Sequence, residues 1–191
     1  MISSLSSIIT EALYKSQVIA EEDKELYTYG FFVLLSKTLF FLVSALFGWM
    51  FGVLWESVVC YIMFSTLRSY GGGFHASKES VCTLCTTVSL FLASASIWYM
   101  ERIGNTVIPF GILVVCGAVV YLLAPLDSED KPLTRAEMVL YRQKTRVIDI
   151  AIVIISIVGL CLHLPAILHA ASISMALECV LLVLGKVKII T

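Results

Sequence analysis

From Tyr29 to Leu67 the chain runs almost without interruption through apolar residues, and this stretch limits the fold more than any other feature. A helix that crosses a bilayer takes about 20 apolar residues at about 1.5 Å rise each. The run is nearly twice that length, so it must double back, with Gly48-Trp49-Met50-Phe51-Gly52 as the expected turn. Further apolar runs at 81–100, 103–124, 147–164 and 166–185 bring the expected number of helices to six. With 59% hydrophobic and only 14% charged residues, the composition excludes a soluble domain. The expected fold is therefore all-α, a polytopic transmembrane helical bundle forming one integral membrane domain over residues 1–191. Its weakest divisions are Glu101 to Asn105 and the neighbourhood of Pro165, and four helices with re-entrant pieces is the alternative count.

Ahead of the bundle, Ile2, Leu5, Ile8, Ile9, Ala12 and Leu13 recur at helical spacing among Ser, Thr, Glu and Lys. Residues 3–22 are thus expected to form an amphipathic helix that lies either on lipid or on its own bundle. The segment lacks the basic start and compact apolar core of a cleaved signal peptide, so the mature protein is expected to keep it.

The placement of charge sets an orientation. With the N-terminus inside, Lys15, Lys24, Arg68, Lys78, Lys131, Arg135, Arg142, Lys144, Arg146, Lys186 and Lys188 face the cytoplasm. Arg102 alone lies outside and Lys37 falls within a span, the asymmetry that positive-inside topology requires. A net charge of -1 provides no global basic field, so nucleic acid is not an expected partner. Lys37, Glu56 and Glu178 are ionisable groups inside spans, where a lone charge is costly. Lys37 and Glu178 stand at similar depth, roughly 12 to 14 Å from the inner ends, which suits an ion pair; snorkelling or contact with water is the alternative. Cys60, Cys85, Cys116, Cys161 and Cys179 lie in or beside apolar runs and read as small hydrophobes. His163 and His169 read as packing or interface residues.

Between the second and third spans lies a short polar segment, Arg68-Ser-Tyr-Gly-Gly-Gly-Phe-His-Ala-Ser-Lys-Glu-Ser-Val-Cys82. It places His75 and Cys82 where the bilayer meets water, on the side where thiols stay reduced. A thiol is a strong latent nucleophile and an imidazole can take its proton at neutral pH. In one continuous helix the pair would be about 10.5 Å apart along the axis, too far for proton transfer over about 3 Å. The segment must bend if the pair is to act together. Gly71-Gly72-Gly73 supplies the freedom to bend, and Ser77 or Ser80 can cap a new helix that carries Cys82 in its first or second turn. A helix N-terminus favours a thiolate, and glycine N-H groups can face a developing oxyanion. The same glycines also suit a plain flexible turn. His75 with Cys82 and Cys85 offers three ligands of the type zinc takes, but no second Cys or His cluster completes a site, so no metal or cofactor is expected. Asp127, Glu129, Asp130 and Asp149 are the carboxylates available to orient His75.

The run Arg68-Ser-Tyr-Gly-Gly-Gly-Phe-His75-Ala76 followed by Cys82 resembles the signature of the accessory gene regulator B (AgrB) family of bacterial membrane peptidases. A second similar motif is Ala124-Pro125-Leu126-Asp127 with Lys131-Pro132-Leu133, and Asp130 departs from the neutral residue expected there. The resemblance extends over the whole chain in length, hydropathy and motif order. It implies a cysteine endopeptidase of the bacterial cell membrane that cuts an AgrD-like propeptide destined to become a cyclic quorum-sensing signal. In that reading Cys82 is the nucleophile and His75 its base. Arg68, Gly72 and Gly73 contact substrate or oxyanion, and the basic loop 125–146, with Lys131 and Arg135, receives the acidic part of the propeptide. The resemblance further implies a homodimer and an active segment, 68–80, that faces the cytoplasm. The rival reading is a small transporter or exporter with an incidental loop cysteine, against which stands the lack of an internal repeat. A noncatalytic membrane scaffold is the other; Cys82→Ser and His75→Ala discriminate, since full cleavage by either would exclude the enzyme.

Overall fold

A computed structural model describes residues 2–73, 79–126 and 134–190. Among them the chain forms seven helices: α1 Ile2–Lys15, α2 Lys24–Phe51, α3 Leu54–Gly71, α4 Glu79–Ile103, α5 Val107–Leu123, α6 Arg135–Cys161 and α7 Pro165–Ile190. The expected all-helical bundle is borne out, with a shorter leading helix than the expected 3–22. The chain folds as two compact units, Met1–Leu42 and Val43–Thr191.

Helix boundaries follow from local hydrogen bonding. Gly52 has φ +75, its N-H bonds the Trp49 carbonyl at 3.2 Å, and the Val53 N-H returns to the Gly48 carbonyl at 2.8 Å. This paired closure spends the orphan carbonyls of α2 and turns the chain into α3, which divides the long apolar run where the sequence suggested. The same closure ends α6 at His163, with φ +58, and Pro165 then opens α7 at the position where its missing N-H costs nothing. At the other doubtful division, Gly104 ends α4, and the Asn105 side chain accepts from Val107 and Ile108 N-H at 2.8 and 3.2 Å to start α5. Two short connections thus separate helices that hydropathy alone runs together.

In the first unit, α1 turns Ser6 and Thr10 inward while Leu5 and Ile8 remain exposed. Lys24 holds Glu11 at 3.2 Å and sits over the Tyr14 ring. Ile2, Ile9 and Leu13 are half-buried, so the aliphatic side chains of α1 are divided between its own unit and its surroundings.

The second unit is organised around α7, which packs against α3, α4, α5 and α6. Residues 168–175 of α7 are all buried, and Ala170, Ala171, Ser172 and Ser174 are small enough for neighbouring helices to approach closely. One apolar cluster joins Leu67, Leu113, Val120, Ile152, Leu168, Met175 and Leu182; a second joins Val53, Cys60, Ala93, Ile97 and Ile173. Ser44 Oγ donates to the Ser57 carbonyl and Ser57 Oγ to Ser94 Oγ, satisfying polar groups that lipid cannot. On the outside, Trp49, Trp55, Val107 and Leu122 are all at least 68% exposed, a surface that a bilayer solvates and water does not.

Residues 21–51, α4 and residues 165–187 of α7 are long and apolar enough to cross a membrane. The remaining candidates fall short for visible reasons. At 17 residues, α5 is about 26 Å long. Helix α3 carries Glu56 and Arg68, and α6 begins at Arg135 with a basic segment before its apolar part. The expected start of that span at 147 is therefore not a structural boundary: residues 135–146 are the first turns of a continuous helix.

Gly48 lets α2 approach α3 closely, since a Cβ there would lie 2.7 Å from Ser57 Cβ and 2.9 Å from Leu54 Cα. Gly48→Ala is expected to destabilise the protein by about 1–3 kcal/mol through overpacking. Gly111, with nothing within 4 Å of its Cβ position, should accept alanine without loss. Thermal unfolding of the two variants in detergent measures the difference.

Candidate active site

The last turn of α3 delivers Arg68 and the glycines to one end of the second unit. Arg68 is half-buried, and its Nη1 donates to the Gly72 carbonyl, capping a helix end whose carbonyls lack partners. The chain then leaves α3 through Gly72, at φ 71 and ψ -141, and Gly73, at φ 107. The Leu126 N-H donates to the Gly71 carbonyl at 2.9 Å, and Gly72 pairs with Leu126 in a short parallel bridge. The two motifs singled out in the sequence are thus hydrogen-bonded to each other, through Gly71 and Leu126, 55 residues apart by numbering.

The floor beneath this turn is α7. A Cβ on Gly71 would lie 2.6 Å from Glu178 Oε1, and one on Gly73 would lie 3.1 Å from the Leu181 carbonyl oxygen. Glycine is needed here because a carboxylate and a helix backbone occupy the space a side chain would fill. Glu178 is fully buried and neither of its oxygens has a hydrogen-bond partner among the described residues.

Cys82 is the fourth residue of α4, within the expected first or second turn, and is half-buried. Its carbonyl accepts from Thr86 Oγ1 at 2.9 Å, so this end of α4 is regular helix. Cys85 is exposed one turn further on. His75 and Lys131 lie outside the described residues, as do Lys78 and the carboxylates Asp127, Glu129 and Asp130. Ser80 falls inside the first turn of α4 rather than before it, and Ser77 is also outside the described residues. Among the described residues no group of three His, Cys, Asp or Glu side chains converges to hold a metal ion.

Basic residues approach the same end along α6. Thr134 caps the helix in a reciprocal arrangement: its Oγ1 accepts from Glu137 N-H at 3.3 Å while Glu137 Oε2 accepts from Thr134 N-H at 2.9 Å. Arg135, at the first helical position, and Arg142 are exposed. Lys144 Nζ stands 4.9 Å from the centre of the Tyr70 ring, which meets Tyr141 edge-on at 5.8 Å. Tyr70 thereby ties the glycine turn to the basic turns of α6, a link that no sequence spacing suggested.

A match to the family described as Accessory gene regulator B covers residues 6–182. The chain belongs to that family. Two AgrB-like proteins of Clostridium perfringens are similar to it: AgrB-like protein 2 of strain 13 / Type A, 29% identical over 144 residues, and AgrB-like protein of strain SM101 / Type A, 27% identical over 143 residues. Each alignment takes in 70% of this chain, and the chain spans 64% of the length of those relatives. No solved structure matches. The AgrB match includes Arg68, the glycine turn, Cys82, Leu126, Arg135 and Glu178. Glu178 had a signal in the sequence, a carboxylate within a span, but nothing there connected it to the glycines.

Proposed function

We propose that this AgrB-family protein is a membrane-embedded cysteine endopeptidase that cleaves an AgrD-like propeptide and prepares it for cyclisation to a quorum-sensing peptide. The observation that carries the reading is Cys82 on the opening turn of α4, in the same sequence segment as a glycine turn that is hydrogen-bonded to the second motif. His75, seven residues earlier, serves as the base. It takes the thiol proton as sulfur attacks the carbonyl at the C-terminal side of the future ring, then returns the proton to the departing amine. The C-terminal fragment leaves and the remainder stays on Cys82 as a thioester. A Cys or Ser within the bound propeptide attacks that thioester, freeing the Cys82 thiol and closing a thiolactone or lactone. Exchange of one thioester for another is nearly isoenergetic, so the ring accumulates only where water is kept from the acyl-enzyme. The apolar surroundings of the helix ends supply that exclusion.

The site faces the cytoplasm of a bacterial cell in this reading, because the positive-inside rule assigns the basic end of α6 to that side. Gly72 and Gly73 line the path of the substrate carbonyl, and two copies side by side in the bilayer are the expected assembly. Arg135 and Arg142, exposed on α6, and Lys131 before it receive the acidic part of the propeptide. Reversing Arg135 and Arg142 to Glu together should raise KM about tenfold and leave kcat within about twofold, the split expected when only ground-state and transition-state attraction are lost equally. The gap should shrink in high salt, as screening weakens the attraction in the parent protein.

Capture of the intermediate is the direct test. Membranes bearing the protein, incubated with a propeptide whose internal Cys or Ser is replaced by Ala, should accumulate an adduct on Cys82 that neutral hydroxylamine releases. A cut propeptide with no thioester on Cys82 at any time would overturn the mechanism.

A further inference from the structure

Helix α3 ends on the first of three consecutive glycines, Gly71. Glycine has the widest choice of backbone angles and no side chain with which to pack, so three together do not fix their own position. Two hydrogen bonds hold the turn, from Leu126 N-H to the Gly71 carbonyl and from Arg68 Nη1 to the Gly72 carbonyl. The Arg68 bond lies within one short segment and moves with it. The Leu126 bond forms only where the end of α3 and the chain leaving α5 are already aligned. Helices α6 and α7 each pack against both α3 and α5, so they are the elements that align them.

Tyr70, the last residue before the glycines, makes this alignment specific to α6. Its half-buried ring meets Tyr141 edge-on, with centroids 5.8 Å apart and planes at 79°, and Lys144 Nζ stands 4.9 Å from its centre. Both are favourable arrangements for an aromatic ring. Tyr141 and Lys144 belong to the basic turns of α6 that precede its apolar part, a stretch made helical by the reciprocal cap of Thr134 and Glu137. That stretch is firmly seated on the bundle: Thr145, one turn after Tyr141, is fully buried, and its Oγ1 donates to the Tyr141 carbonyl at 2.9 Å. We propose that Tyr70 is a positioning residue: its ring, seated on Tyr141 and Lys144, fixes the end of α3 against α6 and so holds the glycine turn in the register at which Gly71 and Gly72 meet Leu126. Tyr70 does not itself touch the reacting atoms. The basic turns of α6 serve as a buttress for the turn.

The effect on cleavage rests on the endopeptidase reading, yet the main test needs no substrate. The probe is solvent deuterium, applied to the full chain in detergent, with exchange read at single amides by fragmentation mass spectrometry. The Leu126 amide reports the turn, because its bond goes to Gly71, and the Ala124 amide, bonded to the Val120 carbonyl at 3.0 Å, is an internal reference. Tyr70→Leu, which keeps an apolar side chain and removes the ring, should raise the Leu126 to Ala124 exchange ratio about three- to tenfold, and Tyr141→Leu should do the same. Tyr70→Phe keeps the ring and should stay within about twofold of the parent. The double leucine variant should lie within about twofold of either single, because each removes the same contact. An unchanged ratio in Tyr70→Leu, an equal rise in Tyr70→Phe, or rises that multiply in the double variant would overturn the proposal. If Tyr70→Leu does not accumulate in membranes, Tyr141→Leu carries the test, and an unchanged ratio there counts against it. In propeptide cleavage Tyr70→Leu should lose kcat about three- to tenfold with KM within about twofold, and Tyr70→Phe should keep the parent values. Full kcat alongside a raised ratio would overturn the positioning role. If the parent cuts no propeptide, a raised ratio rejects the endopeptidase and leaves the anchoring intact; normal parent cleavage with an unresponsive ratio does the opposite.

Discussion

Cys82→Ser is expected to reduce propeptide cleavage to background, a loss of at least about 1000-fold, with the protein still present in membranes at its usual level. A serine hydroxyl keeps the size of the side chain but ionises far less readily than a thiol. Removal of a nucleophile from a working set costs far more than removal of a binding contact, because the remaining groups have nothing to activate. His75→Ala should cost about 100- to 10,000-fold, the range for loss of a general base. Cys85→Ser is the informative comparison. That side chain is exposed and one helical turn from Cys82, so cleavage within about twofold of the parent is expected. Cleavage assayed in isolated membranes by mass spectrometry of the released C-terminal fragment settles all three. Full activity in Cys82→Ser would end the assignment.

How far the sequence carried the fold differs from element to element. The six bundle helices were legible because bilayer thickness turns a hydropathy run into a length, and the turn at Gly52 because the run was too long for one crossing. The two doubtful divisions were settled by features that hydropathy ignores: the Asn105 cap, the left-handed turns at Gly104 and His163, and the proline after them. Helix α6 was read short because charge in its first turns looks like loop, whereas a capping box at Thr134 makes those residues helical. In the candidate site, residues near in sequence were readable and residues brought by tertiary packing were not. Arg68, the glycines and Cys82 share one segment. Leu126, Tyr141, Glu178 and Leu181 arrive from three other helices or their ends, and only α7 packed at the centre brings the last two beneath the glycine turn.

Gly72→Ala is expected to lower cleavage by about 5- to 160-fold without removing the protein from the membrane. At φ 71 and ψ -141, Gly72 occupies a backbone region that is nearly exclusive to glycine, and a Cβ would also run into the Leu126 carbonyl oxygen. Adopting such dihedrals costs an L-residue about 1–3 kcal/mol, which is about 5- to 160-fold if it is expressed as displacement of the turn. The turn, unlike a helix core, can shift, so relief comes by breaking the Gly72 to Leu126 pairing and the Arg68 contact rather than by unfolding α3. The choice of replacement distinguishes this from generic flexibility. Asn tolerates the left-handed helical region and should be accepted at Gly104, which closes α4 with a 3.1 Å bond back to the Met100 carbonyl. It gains nothing at ψ -141, so Gly72→Asn should be as impaired as Gly72→Ala. Activity of Gly72→Asn restored to the parent level would mean that the turn is only a hinge and that its register with Leu126 has no part in positioning the chemistry. Persistent loss in both variants, with Gly104→Asn unaffected, ties the cleavage rate to one backbone geometry at the junction of the two motifs.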